Sequence, residues 1–362
     1  MKHLGIKEEI KKAKIGIEFD ERVRSGSFLQ VDQNVEFSES FSNSVEVLEI
    51  NEALKRYDWL KKYMWRVIPK EKDDYTRIAS EEFNGYFVRS FKGEKVEFPV
   101  ETCLYMNSPE EVQKVHNIVI AEESSELHLV TGCTLSKRAK FGLHIGITEF
   151  FVKKGAKLSY TMIHSWRDDT RVMPRSGILV EKGGTYVSNY LNTSPVKELQ
   201  TYPTAYLDDN AKASFNSIVF GYRSSIIDIG SRAYLRGEKS KVEMISKSIA
   251  SGGEIIARGQ IIGEGKGSKG HLECNGLMLK DGIIRTIPEL EARRLDVELS
   301  HEAAIGKVAE EEIEYLMSRG LSEEESISTI VGGFLSFDIK GVPDYLKREI
   351  NKAIEVGQMR LL

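Results

Sequence analysis

Three residue types that bind soft or borderline metals occur late in the chain. Cys274 and the neighbouring pair His301-Glu302 lie in the stretch HLECNGLMLKDGIIRTIPELEARRLDVELSHEAAIGK, from His271 to Lys307. Thiolate, imidazole and carboxylate together suit iron, zinc or copper. One residue of each, with Cys274 and His301 27 positions apart, matches no zinc-finger spacing, where ligands come in close pairs. Whether they form a site depends on the elements that carry them. The other cysteines, Cys103 in ETCLYM and Cys133 in TGCT, are far from Cys274 and from each other. An odd, scattered set argues against a disulfide framework and for reduced thiols.

The remaining motifs exclude more than they assign. Gly265, Gly267 and Gly270 in GEGKGSKG satisfy G-x-G-x-x-G, but HLECNGLML after them reads as a strand, so no helix N-terminus receives a pyrophosphate and the glycines read as a coil turn. No Walker sequence G-x-x-x-x-G-K-[ST] occurs, so ATP hydrolysis is expected in a partner. Asp208-Asp209 is the one close acid pair in the strand-rich region and sits in a turn, a poor basis for a carbohydrate-cleaving solenoid enzyme. The net charge of −4 and pI near 6.1 leave no basic surplus for nucleic acid. The start, MKHLGIKEEIKKAKIG, carries charges where a secretory peptide needs an apolar core. No apolar run reaches the ~18 residues of a membrane span. A cytoplasmic protein is expected.

The chain of 362 residues, 41% hydrophobic, divides into three regions. Residues 1–75 carry helical signals in EEIKKA and NEALKRYDWLKKYMWRVI, with a polar, partly mobile stretch expected between them. Residues 76–302 consist of short β-type runs such as ELHLVTGCT, HIGITEFFV and KVEMISKSI, divided by Gly, Asn and Asp. Residues 303–362 turn helical again, with Ile313, Leu316, Ile327 and Ile330 on apolar stripes and Ser322 opening a second helix with Glu325 in capping-box position.

The middle region repeats. A turn followed by a β-run recurs at Gly155, Gly183, Asn210, Glu238, Gly265 and Glu291, in steps of 28, 27, 28, 27 and 26 residues. Propeller blades need ~40 residues, and the leucine-rich frame is absent. A period near 27 without crossover helices predicts a mainly β fold, a parallel β-helix flanked by N- and C-terminal helical segments. Positions 27 apart then share a column on adjacent coils, and neighbouring strands lie about 4.8 Å apart. That would bring Cys274 beside His301 or Glu302. Strand alternation sends the side chains of two successive residues to opposite faces, so at least one of the pair must be turned by the end of the solenoid.

These residues resemble the SufB/SufD family of iron-sulfur cluster assembly proteins. SHEAAIGKVAEEEIEYLMSRGLSEEESISTIVGGFL is similar to that family's C-terminal signature, and GSKGHLECNGLMLKDG resembles its cysteine coil. LVTGCT, LHIG and FFVKKGAKLSYTMIHSW resemble earlier coils, so the likeness covers roughly residues 100–340. The resemblance implies a right-handed parallel β-helix, dimers of such subunits and a SufC-type ABC ATPase docked on the C-terminal helices. For that docking the apolar residues Ile313, Leu316, Ile327, Ile330 and Phe334 are the candidates. It also implies a transient iron-sulfur cluster, a sulfur donor and a client apoprotein. A flavin is compatible with the family but not indicated by the sequence.

Carried over residue by residue, Cys274 matches the cluster-ligand cysteine of SufB and Glu302 its nearby glutamate. His301 matches the histidine that SufD contributes across the heterodimer, so one chain carries both halves and a homodimer would hold two composite sites. Cys133 matches a thiol on the route by which sulfur enters SufB. The N-terminal cysteine cluster of many SufB proteins is missing, since nothing before Cys103 is a cysteine. Plainer readings compete: a buried structural thiol for Cys274 and Cys133, core for Cys103, a helix-start charge for Glu302, and polar coil faces for His128, His144 and His164. A SufD-like subunit that binds the ATPase but holds no cluster is the alternative function.

Overall fold

The turn residues dictate the architecture. Gly93, Ser124, Gly155, Gly183, Asn210, Lys239 and Gly267 all have positive φ, between 54° and 75°, and each sits at a corner where one coil passes into the next. Between these corners β-branched and aromatic residues form strands that pair in parallel with the coil before and the coil after. The result, in a computed structural model that describes residues 2–335 and 344–361, is a parallel β-solenoid of about eight turns with helices at the termini and 49% of residues in strands. Residues 336–343 and Leu362, part of the expected C-terminal helical region, lie outside the described residues, as does Met1.

The GEGKGSKG stretch is a coil turn, as its sequence context suggests. A Cβ on Gly265 would meet the carbonyl oxygen of Gly237 at 1.9 Å, and one on Gly237 would meet the backbone nitrogen of Asp209 at the same distance. Successive turns stack too closely for side chains.

Two sheets face each other across an interior. One runs through the strands Val100–Met106, Glu126–Leu135, Lys157–Ser165, Thr185–Asn192, Lys212–Tyr222, Lys241–Ser251 and Lys269–Leu279 to Glu298–Lys307. The second ends, through Glu254–Gly263, in Ile283–Ala292. The interior holds Phe28, Tyr86, Phe150, Tyr186 and Ile227 among many others. Both sheets are also covered outside. The first packs Ile10, Ile15 and Ile17 from the N-terminus, and Val331, Leu335 and Ile350 from the C-terminal helices, against Val130, Ile163 and Phe220. The second is covered by Ile50, Ala53, Leu60 and Ile68.

The first 75 residues depart from the helical expectation. They contain the strands Gly26–Val31, Asn34–Ser40 and Val45–Glu49. Asn34–Ser40 and Val45–Glu49 pair antiparallel at the two sheet ends and close that end of the solenoid. The helical signals are realised as Lys2–Lys12, Ile50–Arg56 and a 3-10 turn over Asp58–Lys62, with a further helix at Asp74–Glu81. At the other end the last strand reaches Lys307, past the expected limit of 302, and the helices Glu310–Ser318 and Glu323–Leu335 form a hairpin. The Ser322-Glu325 capping box is present, with the Ser322 backbone N–H donating to Glu325 Oε2 at 2.8 Å and the Glu325 N–H to Ser322 Oγ at 3.3 Å. A third helix covers Asp344–Leu361.

Candidate functional site at the open end

The last coils differ from all others in being bare. In Ile283–Ala292 and Glu298–Lys307 no residue is fully buried. Each strand is paired on one side only, among the described residues. Ile283, Ile287, Leu290, Leu295 and Ile305 are exposed there. Cys274 lies one coil in, on Lys269–Leu279, where Gly270, Leu272, Cys274 and Gly276 face the interior. It is 2% exposed. Burial, and then the Glu273 carboxylate, push its thiol up to about 11.

The column partner of Cys274 differs from the one a fixed period predicts. Cys274 faces Ala303, His301 faces Leu272 and Glu302 faces Glu273. Coils here are longer than 27 residues, and the slip is two positions. Alternation then decides the faces: His301 lies on the interior row with Cys274, and Glu302 on the outer face beside Glu273. Of the pair, Glu302 is therefore the one that faces away from Cys274. Two residues along a strand and one strand across put the Cα atoms of Cys274 and His301 about 8 Å apart. The Nε2 of His301 is buried and has no hydrogen-bond partner. A buried imidazole nitrogen left unpaired is costly, and His301 lies on the same side of the sheet as the thiol, two positions along the neighbouring strand. Ala303, the register neighbour of Cys274 on the last strand, is small and exposed. On the outer face Asn275 donates to Glu273 Oε1 at 2.5 Å, and the His271 ring bonds Ser300 Oγ at 2.8 Å. Among the described residues, no three His, Cys, Asp or Glu side chains converge as a complete metal site within one chain.

Cys133 is wholly interior, in register with Leu104 and His164, and burial raises its thiol far above the usual range. Around it is a polar chamber that sequence reasoning passed over. His144 and His164 are no outer coil faces: both are buried, their rings 6.3 Å apart, with Trp166 at 5.3 Å from each. Tyr190 OH bonds His164 Nδ1 at 2.9 Å. The Nε2 atoms of both histidines and the Nε1 of Trp166 have no partner. Gln113 Nε2 donates to the carbonyls of Asp32 and Tyr105, which leaves its Oε1 to accept from His144 Nδ1 at 2.9 Å and fixes the tautomer with Nε2 bare. Both sides of these strands are buried, so alternation in the sequence could not show which side was interior. His128, also buried, bonds Ser159 at 2.6 Å. Farther along the interior, a small cavity of about 60 Å³ is lined by Tyr190, Ser217, Ser246 and Leu272 among others, and Ser246 is the register neighbour of Cys274. Cys103 belongs to the outer apolar layer, as expected of core.

The five apolar residues of the C-terminal helices divide. Ile327 and Phe334 lean on the solenoid beside Val331 and Leu335, and Lys247 Nζ donates to the Phe334 carbonyl at 2.8 Å. Leu316 and Ile330 instead line an open groove with Glu311, Glu312 and Tyr315, and Ile313 is half-buried on the same hairpin. Among the described residues, no helix is long and apolar enough to cross a membrane.

A parallel β-solenoid closed at one end and open at the other, with a thiol and an imidazole on one row near the open end, is the class that the fold defines. The family comparison agrees and is more specific. Residues 104–334 match the SUF system FeS cluster assembly SufBD core domain, and the chain belongs to that family. It is 55% identical over 362 residues to an iron-sulfur cluster assembly SufBD family protein of Archaeoglobus fulgidus, covering 99% of this chain and 97% of that one. It is 45% identical over 352 residues to a relative of the same description from Methanothermobacter thermautotrophicus strain Delta H, covering 95% and 86%. A SufBD family protein of Pyrococcus horikoshii is 32% identical over 353 residues, covering 95% and 79%. Family membership supports a scaffold role in iron-sulfur cluster assembly.

Proposed function

We propose that this chain works as a dimer joined through its open ends, in company with a SufC-type ATPase, and that iron and sulfide are assembled at Cys274, His301 and Glu302 before transfer to a client. The observation that carries the reading is the unpartnered, buried His301 Nε2, on the same interior row as Cys274 one strand away. A thiolate with an imidazole and a carboxylate binds iron while leaving the product labile, whereas four thiolates would retain it. Glu302 faces outward from its own chain, which suits it to complete the site of the other subunit. Cys133 serves as the sulfur-accepting thiol, on the same solenoid interior as Cys274. The SufD-like alternative, an ATPase-binding subunit without a cluster, is disfavoured by the presence of all three ligands.

The test is anaerobic reconstitution with iron and sulfide. Wild-type protein should develop charge-transfer absorbance and Cys274→Ala should not, with its circular dichroism unchanged. Removing one buried sulfur costs about 1 kcal/mol, too little to unfold the solenoid. Full cluster absorbance in Cys274→Ala would reduce Cys274 to a packing residue.

A further inference from the structure

In the second sheet, two consecutive coils break at the same level. Arg171–Val172 is separated from Arg175–Val180, and Glu198–Thr201 from Thr204–Leu207. Pro174 and Pro203 lie in the gaps, where proline has no N–H to give the ladder. The guanidinium of Arg175 fills the break. It donates to the carbonyls of Pro174 at 3.0 Å and Gln200 at 2.8 Å, to Gln200 Oε1 at 2.7 Å and to Asp73 at 2.6 Å. Arg175 is thus consumed as structure, 5% exposed, and Asp73 with it, which also caps the helix Asp74–Glu81.

Above this break lies a groove of about 400 Å³, lined by Lys72, Tyr202, Thr204, Arg232, Arg258 and Glu289 as well as by the Arg175 cluster. Its charges do not balance. Arg258 is neutralised by Asp228 through two bonds of 2.5 and 2.9 Å, as Arg175 is by Asp73. Lys72 and Arg232 remain, and among the described residues neither forms an ion pair. Arg232 bonds the neutral side chain of Gln260 and lies 5.0 Å over the Tyr202 ring. Burial and the nearby Arg175 and Arg232 guanidiniums lower the Lys72 ammonium, an effect the Asp73 carboxylate only partly offsets. The one carboxylate left, Glu289, sits at the edge as the register neighbour of Gln260. The first turn of Asp74–Glu81 adds the positive end of a helix dipole.

We propose that this groove binds an oxyanion of the phosphate class, held by Lys72 and Arg232 with the hydroxyls of Thr204 and Tyr202. A guanidinium fork and an ammonium converging on one concavity match a dianionic, multi-acceptor group. The acidic residues in the same wall oppose a long polyanion, so the ligand is small. Free phosphate and the phosphates of a nucleotide share this chemistry. The site is independent of the cluster-assembly reading.

Calorimetric titration of the full chain with inorganic phosphate, pyrophosphate and ADP, at fixed ionic strength, tests it. Wild-type protein should bind at least one of them. Lys72→Gln and Arg232→Gln should each weaken that binding about tenfold, with the unliganded melting curve unchanged for Lys72→Gln, whose ammonium forms no ion pair among the described residues. Lys212→Gln, on the other sheet, should bind as wild type does. Binding of ADP alone assigns the site to a nucleotide, and equal binding of phosphate assigns it to the free ion. No binding by wild type below ~10 mM, or unaltered affinity in either groove variant, overturns the proposal.

Discussion

At the scale of single residues, the chemistry is governed by groups that the interior keeps uncharged. With its thiol raised to about 11, Cys274 is protonated at neutral pH, and an incoming iron ion must displace the proton. Iron loading should therefore rise with pH, approaching tenfold per unit below that value, and ferrous binding measured anaerobically at pH 6.5, 7.5 and 8.5 checks it. A flat profile would remove Cys274 from the ligand set. His144 acts on stability instead. Its folded-state value falls from 6.5 to about 4 through burial, so the unfolded chain binds more protons between those values and stability declines as pH drops from about 6.5 toward 4. The shift corresponds to about 3 kcal/mol. Urea unfolding of His144→Gln should lose less stability across that window than wild type does, and identical slopes would count against the assignment. Sequence alone singled out Cys274, His301 and Glu302 as candidates by type and by likeness. The face each occupies was not legible, because a two-residue lengthening of the coil moved Ala303 into the Cys274 column.

Among the elements, the C-terminal hairpin divides its apolar residues between two tasks. Val331, Leu335, Ile327 and Phe334 hold the hairpin to the solenoid. Leu316 and Ile330 line the outward groove beside the exposed Tyr315. Leu316→Glu should abolish co-purification with a SufC-type ATPase while the melting temperature stays within about 2 °C of wild type. Val331→Ala, at a 1% exposed position, should cost about 2 kcal/mol and leave ATPase binding intact. The opposite pattern would mean that the docking face lies elsewhere. The coils were legible because a left-handed turn residue recurs once per coil, and the hairpin because its capping box and apolar stripe are local signals. The strands Gly26–Val31, Asn34–Ser40 and Val45–Glu49 were not. Asn34–Ser40 has no fully buried residue, so it carries no alternating apolar pattern, and antiparallel capping of a solenoid is settled by tertiary pairing rather than by propensity.

For the whole molecule, the two ends are the decisive contrast. The N-terminal end is closed by its own antiparallel strands, whereas the C-terminal end presents two bare parallel edges flanked by exposed Ile283, Leu290, Leu295 and Ile305. An uncovered edge of this kind is a template for another strand or another chain. A twofold axis at that end joins two copies through one self-complementary surface. Because Cys274 and His301 share an interior row while Glu302 points outward, each site in such a dimer would take thiol and imidazole from one subunit and carboxylate from the other. Mixed dimers distinguish the possibilities. Pairing Cys274→Ser with Glu302→Ala subunits leaves one complete site and should recover about half the wild-type cluster. Pairing Cys274→Ser with His301→Ala should recover little more than either mutant homodimer, since the two defects fall in different sites. Half recovery in that second mixture would mean that His301 reaches across the interface instead. No recovery in either mixture would place all three ligands within one chain.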